Sequence, residues 1–206
     1  MNVNDRIPVV QPERFAFTAE NLELADRIIA KYPPGRQASA VMPLLDLAQR
    51  QHDNWLPRAA MDYVADMLGM PRVRAYEVAT FYSMYNLRPV GRHLVQICTT
   101  TPCWLRGSAD IVQACERKLG IHIGQTTADG QFTLNEVECL GACVNAPMAQ
   151  IGDDYYEDLT PERMDQILDM LRRGERPALG PQIDRQTSAP VGGPTTLRSV
   201  AAQGAD

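Results

Sequence analysis

The chain has 206 residues, 45% of them hydrophobic and 22% charged, with 15 Pro and 14 Gly, a composition that fills one large or two small cores and excludes collagen, coiled coil and wholesale disorder. Its longest apolar stretches, such as residues 40–45, reach about a third of the roughly 18 residues that a membrane span requires, so no direct insertion into a bilayer is expected. With 20 Lys+Arg against 25 Asp+Glu the formal charge is −5, which offers no cationic field to a phosphate backbone and leaves nucleic acid outside the expected partners.

The opening, Met1-Asn2-Val3-Asn4-Asp5-Arg6, lacks the basic, apolar and small-residue regions of a secretory signal and the Arg/Ser-rich pattern of a transit peptide. The expectation is a chain that starts near Met1 and stays in a reducing compartment. Of the 20 cations, 18 are Arg and only Lys31 and Lys118 are Lys, a bias that suits bidentate ion pairs and that codon composition explains as well.

Four short helices with proline punctuation are predicted first. Thr18 caps a helix whose face carries Leu22, Ala25, Ile29 and Tyr32, and Pro33-Pro34-Gly35 stops it. A second opens at Ser39 and aligns Val41, Leu44, Leu45 and Ala48, with Pro43 in its tolerant first turn. A third, from near Pro57 to Gly69, aligns Met61, Val64, Ala65 and Leu68. The fourth covers residues 72–85, and its aromatics Tyr76, Phe81, Tyr82 and Tyr85 read as packing groups.

After Arg88-Pro89-Val90-Gly91 the period changes. Residues 94–98 form a strand, a loop follows to Gly107, and a helix capped by Ser108 buries Ile111, Val112, Cys115 and Leu119 before Gly120. Extended segments at 121–125 and 132–138 flank an Asp129-Gly130 turn, and 148–151 with 155–157 read as a hairpin. The last helix has Thr160 as cap, Pro161 at its first position and Met164, Ile167, Leu168 and Leu171 on one face. The expected class is α+β, a helical domain over residues 1–88 followed by a small sheet with helices packed on it over 89–174. Residues 175–206, rich in Gly and Pro, show no periodicity and read either as a disordered tail or as an arm that a neighbouring chain orders.

Five cysteines stand at 98, 103, 115, 139 and 143, and four of them form a C-x4-C and a C-x3-C pair separated by 35 residues. Each pair sits where a predicted strand ends, so four thiolates can meet at one edge of the sheet, the ligand count of an iron–sulfur cluster or of a structural zinc. The absent secretory signal disfavours disulfides. Thiol exchange would use C-x-x-C, which does not occur. A plant-type ferredoxin would place a third cysteine where Arg106 stands. Cys115, mid-helix on an apolar face, reads as core, and His52, His93 and His122 are too scattered for a Rieske centre.

The two pairs, the phrase Cys139-Leu140-Gly141-Ala142-Cys143-Val144-Asn145-Ala146-Pro147-Met148 and the upstream Tyr76-Glu77-Val78-Ala79-Thr80-Phe81-Tyr82-Ser83-Met84-Tyr85 closely resemble the 24 kDa (E) subunits of respiratory complex I and bacterial NADH:quinone oxidoreductase, a family of thioredoxin-like [2Fe-2S] ferredoxins. The resemblance covers roughly residues 15–175. It implies a helical N-terminal domain, then a thioredoxin-like α/β domain holding one [2Fe-2S] cluster on Cys98, Cys103, Cys139 and Cys143.

The resemblance further implies one-electron exchange with the flavin of a partner chain, on which FMN and NADH bind, beside other iron–sulfur subunits of a peripheral arm. The complex would lie on the cytoplasmic face of a bacterial inner membrane, or on the matrix face of a mitochondrial one. No Gly-x-Gly-x-x-Gly follows a strand anywhere in the chain. An equivalent component of an NAD-linked formate dehydrogenase or hydrogenase, and a zinc-stabilised interaction module without redox role, are the alternatives. Around the thiols, Thr99, Thr100 and Thr101 are candidate hydroxyl donors, Gly141 a tight turn, and Arg106 a local cation or an ion-pair partner. Thioredoxin-like folds often place a cis proline before the corresponding strand, and here that residue is Pro147.

Overall fold

A computed structural model describes residues 10–193 and 196, and the chain divides into two compact units on either side of the Arg92–His93 bond. The first unit holds four helices, α1 (Ala19–Ile29), α2 (Val41–Gln51), α3 (Arg58–Met67) and α4 (Arg72–Phe81). Thr18 caps α1 by accepting from the Asn21 N–H at 3.2 Å. Ser39 does not cap α2: it lies inside a 3-10 turn, Gln37–Ala40, and Ala40 occupies the cap position without a side-chain bond. The apolar faces close over Leu44, Leu45, Ala48, Leu56, Ala60, Val64, Ala65 and Ala75. Truncating a buried leucine here, Leu45→Ala for instance, costs about 2–5 kcal/mol.

The fourth helix is shorter than its sequence pattern predicts. Helix α4 ends at Phe81, because Tyr82 turns extended at ψ 120°. Gln49 then holds the following stretch of chain, donating from Nε2 to the Met84 carbonyl at 3.0 Å and accepting from the Asn86 N–H at 2.7 Å. Tyr85 is buried and donates its hydroxyl to the Met42 carbonyl. That anchoring leaves Phe81 (80%), Tyr82 and Met84 exposed, so of Phe81, Tyr82 and Tyr85 only Tyr85 is core.

The second unit is a six-stranded sheet in the order β2-β3-β1-β4-β5-β6, formed by β1 (His93–Cys98), β2 (Gln125–Thr126), β3 (Phe132–Val137), β4 (Ala149–Ile151), β5 (Asp154–Glu157) and β6 (Gly180–Pro181). Strand β1 pairs parallel with β3 and antiparallel with β4, setting Val95 opposite both Leu134 and Ile151. Three helices accompany it: α5 (Thr101–Leu105), α6 (Ser108–Leu119) and α7 (Pro161–Arg172). Alternation directs Val95, Ile97, Phe132, Leu134, Ala149 and Ile151 to one face, where they meet Ile111 and Cys115 of α6 and Met164, Ile167 and Leu168 of α7. Each buried Val, Leu, Ile, Phe or Met among them contributes about 1.5–3 kcal/mol.

Four further expectations change. The segment before Gly107 contains the single-turn helix α5, and Gly107, at φ +91°, rather than Ser108, takes the cap position of α6. Residues 121–124 are not strand, so the first edge strand shrinks to β2. Part of the stretch after residue 174 adds to the sheet of its own chain. Strand β6 adds in parallel to β5, Gln182 N–H donates to the Glu157 carbonyl at 2.9 Å, and the following residues fold back on the same unit. Unpaired β5 backbone groups supply what the low local hydrophobicity of that stretch does not. Residues 194, 195 and 197–206 lie outside the described residues.

Candidate metal centre

Strand β1 delivers Cys98 at its last residue, where the Cys98 N–H still donates to the Met148 carbonyl of the chain entering β4. Thr100 then takes the cap position of α5, Pro102 occupies its tolerant first turn, and the helix carries Cys103 back beneath Cys98. The two thiols shift one another's ionisation. Both residues are 1% exposed, in a pocket shared with Ala146 and Met148 and packed by Leu140, Ala142 and Tyr155.

The second pair is built differently. Strand β3 ends at Val137, and the chain reverses through Gly141 at φ +84°, a left-handed conformation that glycine adopts without cost. A Cβ there would meet nothing within 4 Å, so the dihedral angle, not space, demands glycine. The turn aims the Gly141 N–H at Cys139 Sγ, 3.4 Å away, and Cys143 opens the 3-10 turn Cys143–Asn145. Cys139 and Cys143 are exposed, with sulfurs 3.3 Å apart, well beyond the roughly 2.05 Å of a disulfide. The hydroxyl of Tyr155, from β5, donates to the Leu140 carbonyl at 2.9 Å and fixes the loop from behind. The Ala146–Pro147 peptide bond is cis, in line with the expectation for thioredoxin-like folds.

Polar contacts join the pairs. Thr100 Oγ1 lies 3.3 Å from Cys98 Sγ and also lowers the pKa of Cys139, and Leu140 and Ala142 of the second loop pack on the pocket of the buried pair. Burial works against ionisation of Cys98, yet hydrogen bonds from Thr100, Cys103 and Leu140 outweigh it and lower its pKa. Burial, then neighbouring Cys98, pushes Cys103 up to about 12. Among the exposed thiols the Gly141 N–H lowers Cys139, and the hydrogen bond to Cys139 raises Cys143. Each pair thus favours one thiolate over two, and a bound cationic core would release the second proton.

The other candidates sort themselves by contact. Of the three threonines, Thr100 faces the sulfurs, whereas Thr99 spends its hydroxyl on Glu136 at 2.7 Å. Arg106 Nε donates to the Ala146 carbonyl at 3.5 Å, so it braces the second loop and forms no ion pair with a carboxylate of its own chain among the described residues. Cys115 is fully buried between α6 and the sheet, its thiol pushed up to about 12 by burial. His93 packs on Phe132, His122 pairs with Glu116, and His52 packs on Trp55. Sequence reasoning did not single out Tyr155. Its signal lay in the Tyr155-Tyr156 step of a strand, which turns one ring into the core and the other to the opposite face.

Among the described residues, no three His, Cys, Asp or Glu side chains converge on a point suited to one metal ion. The thiols stand as two pairs, a donor set that fits two irons taking two thiolates each better than one tetrahedral ion with four.

A family model described as thioredoxin-like [2Fe-2S] ferredoxin matches residues 25–172. The NADH-quinone oxidoreductase E subunit of Rickettsia conorii is 62% identical over 158 residues, which cover 77% of this chain and 95% of that protein. The mitochondrial NADH dehydrogenase [ubiquinone] flavoprotein 2 of Dictyostelium discoideum is 51% identical over 183 residues, 89% of this chain and 74% of the other. Among solved structures, NAD+-reducing [NiFe]-hydrogenase in its H2-reduced state aligns with a TM-score of 0.56 at 21% identity. That match covers 65% of this chain and 23% of the hydrogenase chain, and it is a likeness of fold.

Proposed function

Because this chain belongs to the thioredoxin-like [2Fe-2S] ferredoxin family, whose cofactor is one [2Fe-2S] cluster, we propose that Cys98, Cys103, Cys139 and Cys143 hold that cluster in an electron-transfer component of an NADH:quinone oxidoreductase. Single electrons pass between this site and the flavin of a partner chain. The observation that carries this reading is the meeting of two thiol pairs, with Leu140 and Ala142 of the second loop packed on the pocket of Cys98 and Cys103 and the Thr100 hydroxyl 3.3 Å from Cys98 Sγ. When bound, the cluster supplies one-electron redox chemistry at a net charge that its four thiolates make negative.

The chain's own groups set the terms of that chemistry. Burial of Cys98 and Cys103 penalises added negative charge, whereas the N–H groups of Leu140, Gly141 and Met148 and the Thr100 hydroxyl favour it. Exposed Cys139 and Cys143 give a partner a short path to the site, while Cys98 and Cys103 face the protein interior. NADH and FMN belong to the partner, since this sequence carries no dinucleotide fingerprint. Among the described residues no helix is long and apolar enough to cross a membrane, in keeping with a peripheral place in the complex, on the cytoplasmic or matrix face, beside other iron–sulfur proteins.

Cysteine replacement with iron analysis is the test. Cys139→Ala should lose the iron and Cys115→Ala should keep it near wild type, and equal loss in both would sink the ligand assignment. Anaerobic NADH should leave the isolated, iron-loaded chain oxidised until a flavoprotein is added. Rapid bleaching without one would remove the partner from the scheme.

A further inference from the structure

The chain beyond β6 carries residues that the family match, which ends at 172, does not include. Arg185 is one of them, and it is buried against Asp158, the residue that follows β5, with side-chain exposures of 6% and 8%. Its Nη1 lies 3.0 and 3.3 Å from the two Asp158 oxygens and 3.4 Å from the Val144 carbonyl. Its Nε and Nη2 both donate to the Ala189 carbonyl, at 2.9 and 2.7 Å. One guanidinium thus bridges the arm, the end of β5 and the residue after Cys143.

Asn145 closes the same network two residues after Cys143. Its side-chain amide donates to the Thr187 carbonyl at 2.9 Å and to Asp158 at 3.3 Å, and its own carbonyl accepts from the Asp158 N–H at 2.7 Å. Asn145 is 1% exposed. Asp158 and Thr187 both stand in left-handed backbone, at φ +53° and +45°, a conformation that aspartate takes fairly readily and a β-branched threonine rarely does. Such a threonine in one hydrogen-bonded group marks a segment held in place, not one lying idle on the surface.

We infer that the 180–189 arm is a clamp on the exposed ligand loop, and that Arg185, through Asp158 and the Val144 carbonyl, is a positioning residue for Cys143. Cys143 begins a 3-10 turn of only three residues, Cys143–Asn145. The clamp holds the second residue of that turn by its carbonyl and the third by its side chain, while Asp158, which Arg185 engages, holds the third by its backbone carbonyl. Among the described residues no comparable bond from the arm reaches the buried pair, which the core already fixes. The inference rests on the cluster assignment above, and it gives the arm a role in retaining the cluster and setting its environment. Lysine would keep the charge but lacks the fork that serves three acceptors at once.

The test uses the full chain, loaded with iron and sulfide, in wild-type, Arg185→Met and Arg185→Lys forms. Cluster loss under a ferrous chelator is followed by visible absorbance, with the electron paramagnetic resonance spectrum of the reduced form recorded in parallel. Arg185→Met should lose its cluster about ten-fold faster, at the lower end of what outer partners contribute to metal retention, with an altered spectrum. Arg185→Lys should fall between it and wild type. If Arg185→Met does not accumulate folded, Arg185→Lys decides, with a loss rate above wild type expected. Wild-type loss rate and spectrum in the deciding variant would overturn the clamp. A wild-type chain that takes up no iron and sulfide would instead overturn the cluster assignment on which it stands.

Discussion

The two cysteine loops solve the same problem by opposite means. Cys98 and Cys103 are placed by a strand end and a helical turn and sealed by Ala146 and Met148, so packing holds them. Cys139 and Cys143 are exposed, on a loop kept in shape by a positive-φ glycine and by separate hydrogen bonds, from the Tyr155 hydroxyl, from the Gly141 N–H to sulfur and from the Arg185, Asp158 and Asn145 network. Packing resists disturbance cooperatively, whereas a loop of single hydrogen bonds yields bond by bond. The first pair is therefore the stable base of the site and the second its adjustable, exposed side.

Serine substitution separates the two most sharply. Cys98→Ser and Cys139→Ser should both abolish normal cluster content, but only the former should weaken the iron-free fold. A hydroxyl in the buried pocket costs about 1–3 kcal/mol, and the exposed site costs nothing comparable. Urea unfolding of the iron-free forms checks this, and equal stabilities would break the contrast between loops.

Thiol reactivity sharpens the comparison on a second axis. A thiolate, not a thiol, attacks iodoacetamide, so a lowered pKa extends reactivity to lower pH. Exposed Cys139, its pKa lowered by the Gly141 N–H, should alkylate first in the iron-free chain, at a pH below that at which free cysteine reacts. Cys103 and Cys115, both pushed up to about 12 chiefly by burial, should stay unmodified until the chain unfolds. Peptide mapping across pH reads the order, and Cys115 reacting before Cys139 would contradict it.

Gly141→Ala comes next in size. The added methyl meets no neighbour, so its cost is the left-handed dihedral alone, about 1–2 kcal/mol, confined to the second loop. Tyr155→Phe is smaller still, removing one hydrogen bond to the Leu140 carbonyl worth about 0.5–1.5 kcal/mol. Hydrogen exchange should rise at residues 140–142 in both variants and remain unchanged in β1. Faster exchange in β1 would mean that the two loops are not independently held.

The contrast also explains what could be read from sequence. Helix α7 is legible because its cap, its proline and its apolar face lie within a single short stretch of chain, and the cysteine pairs because their spacing is local. Helix α5 is not, since five residues that open Thr-Pro give no periodicity to detect. Phe81 and Tyr82 look like core by composition, yet Gln49, far earlier in the chain, fixes the backbone so that they face outward. The arm is illegible for the same reason: β6 exists only because β5 offers it an edge, and Arg185 finds Asp158 across 27 positions. Nonlocal polar partners leave no pattern in a single sequence.

The central claim, a two-iron centre on paired thiols, is tested most directly by metal and sulfide analysis of the anaerobically purified full chain alongside its visible spectrum. Two irons and two acid-labile sulfides per chain with a reddish-brown colour are predicted. A colourless protein carrying one zinc and no sulfide would contradict it.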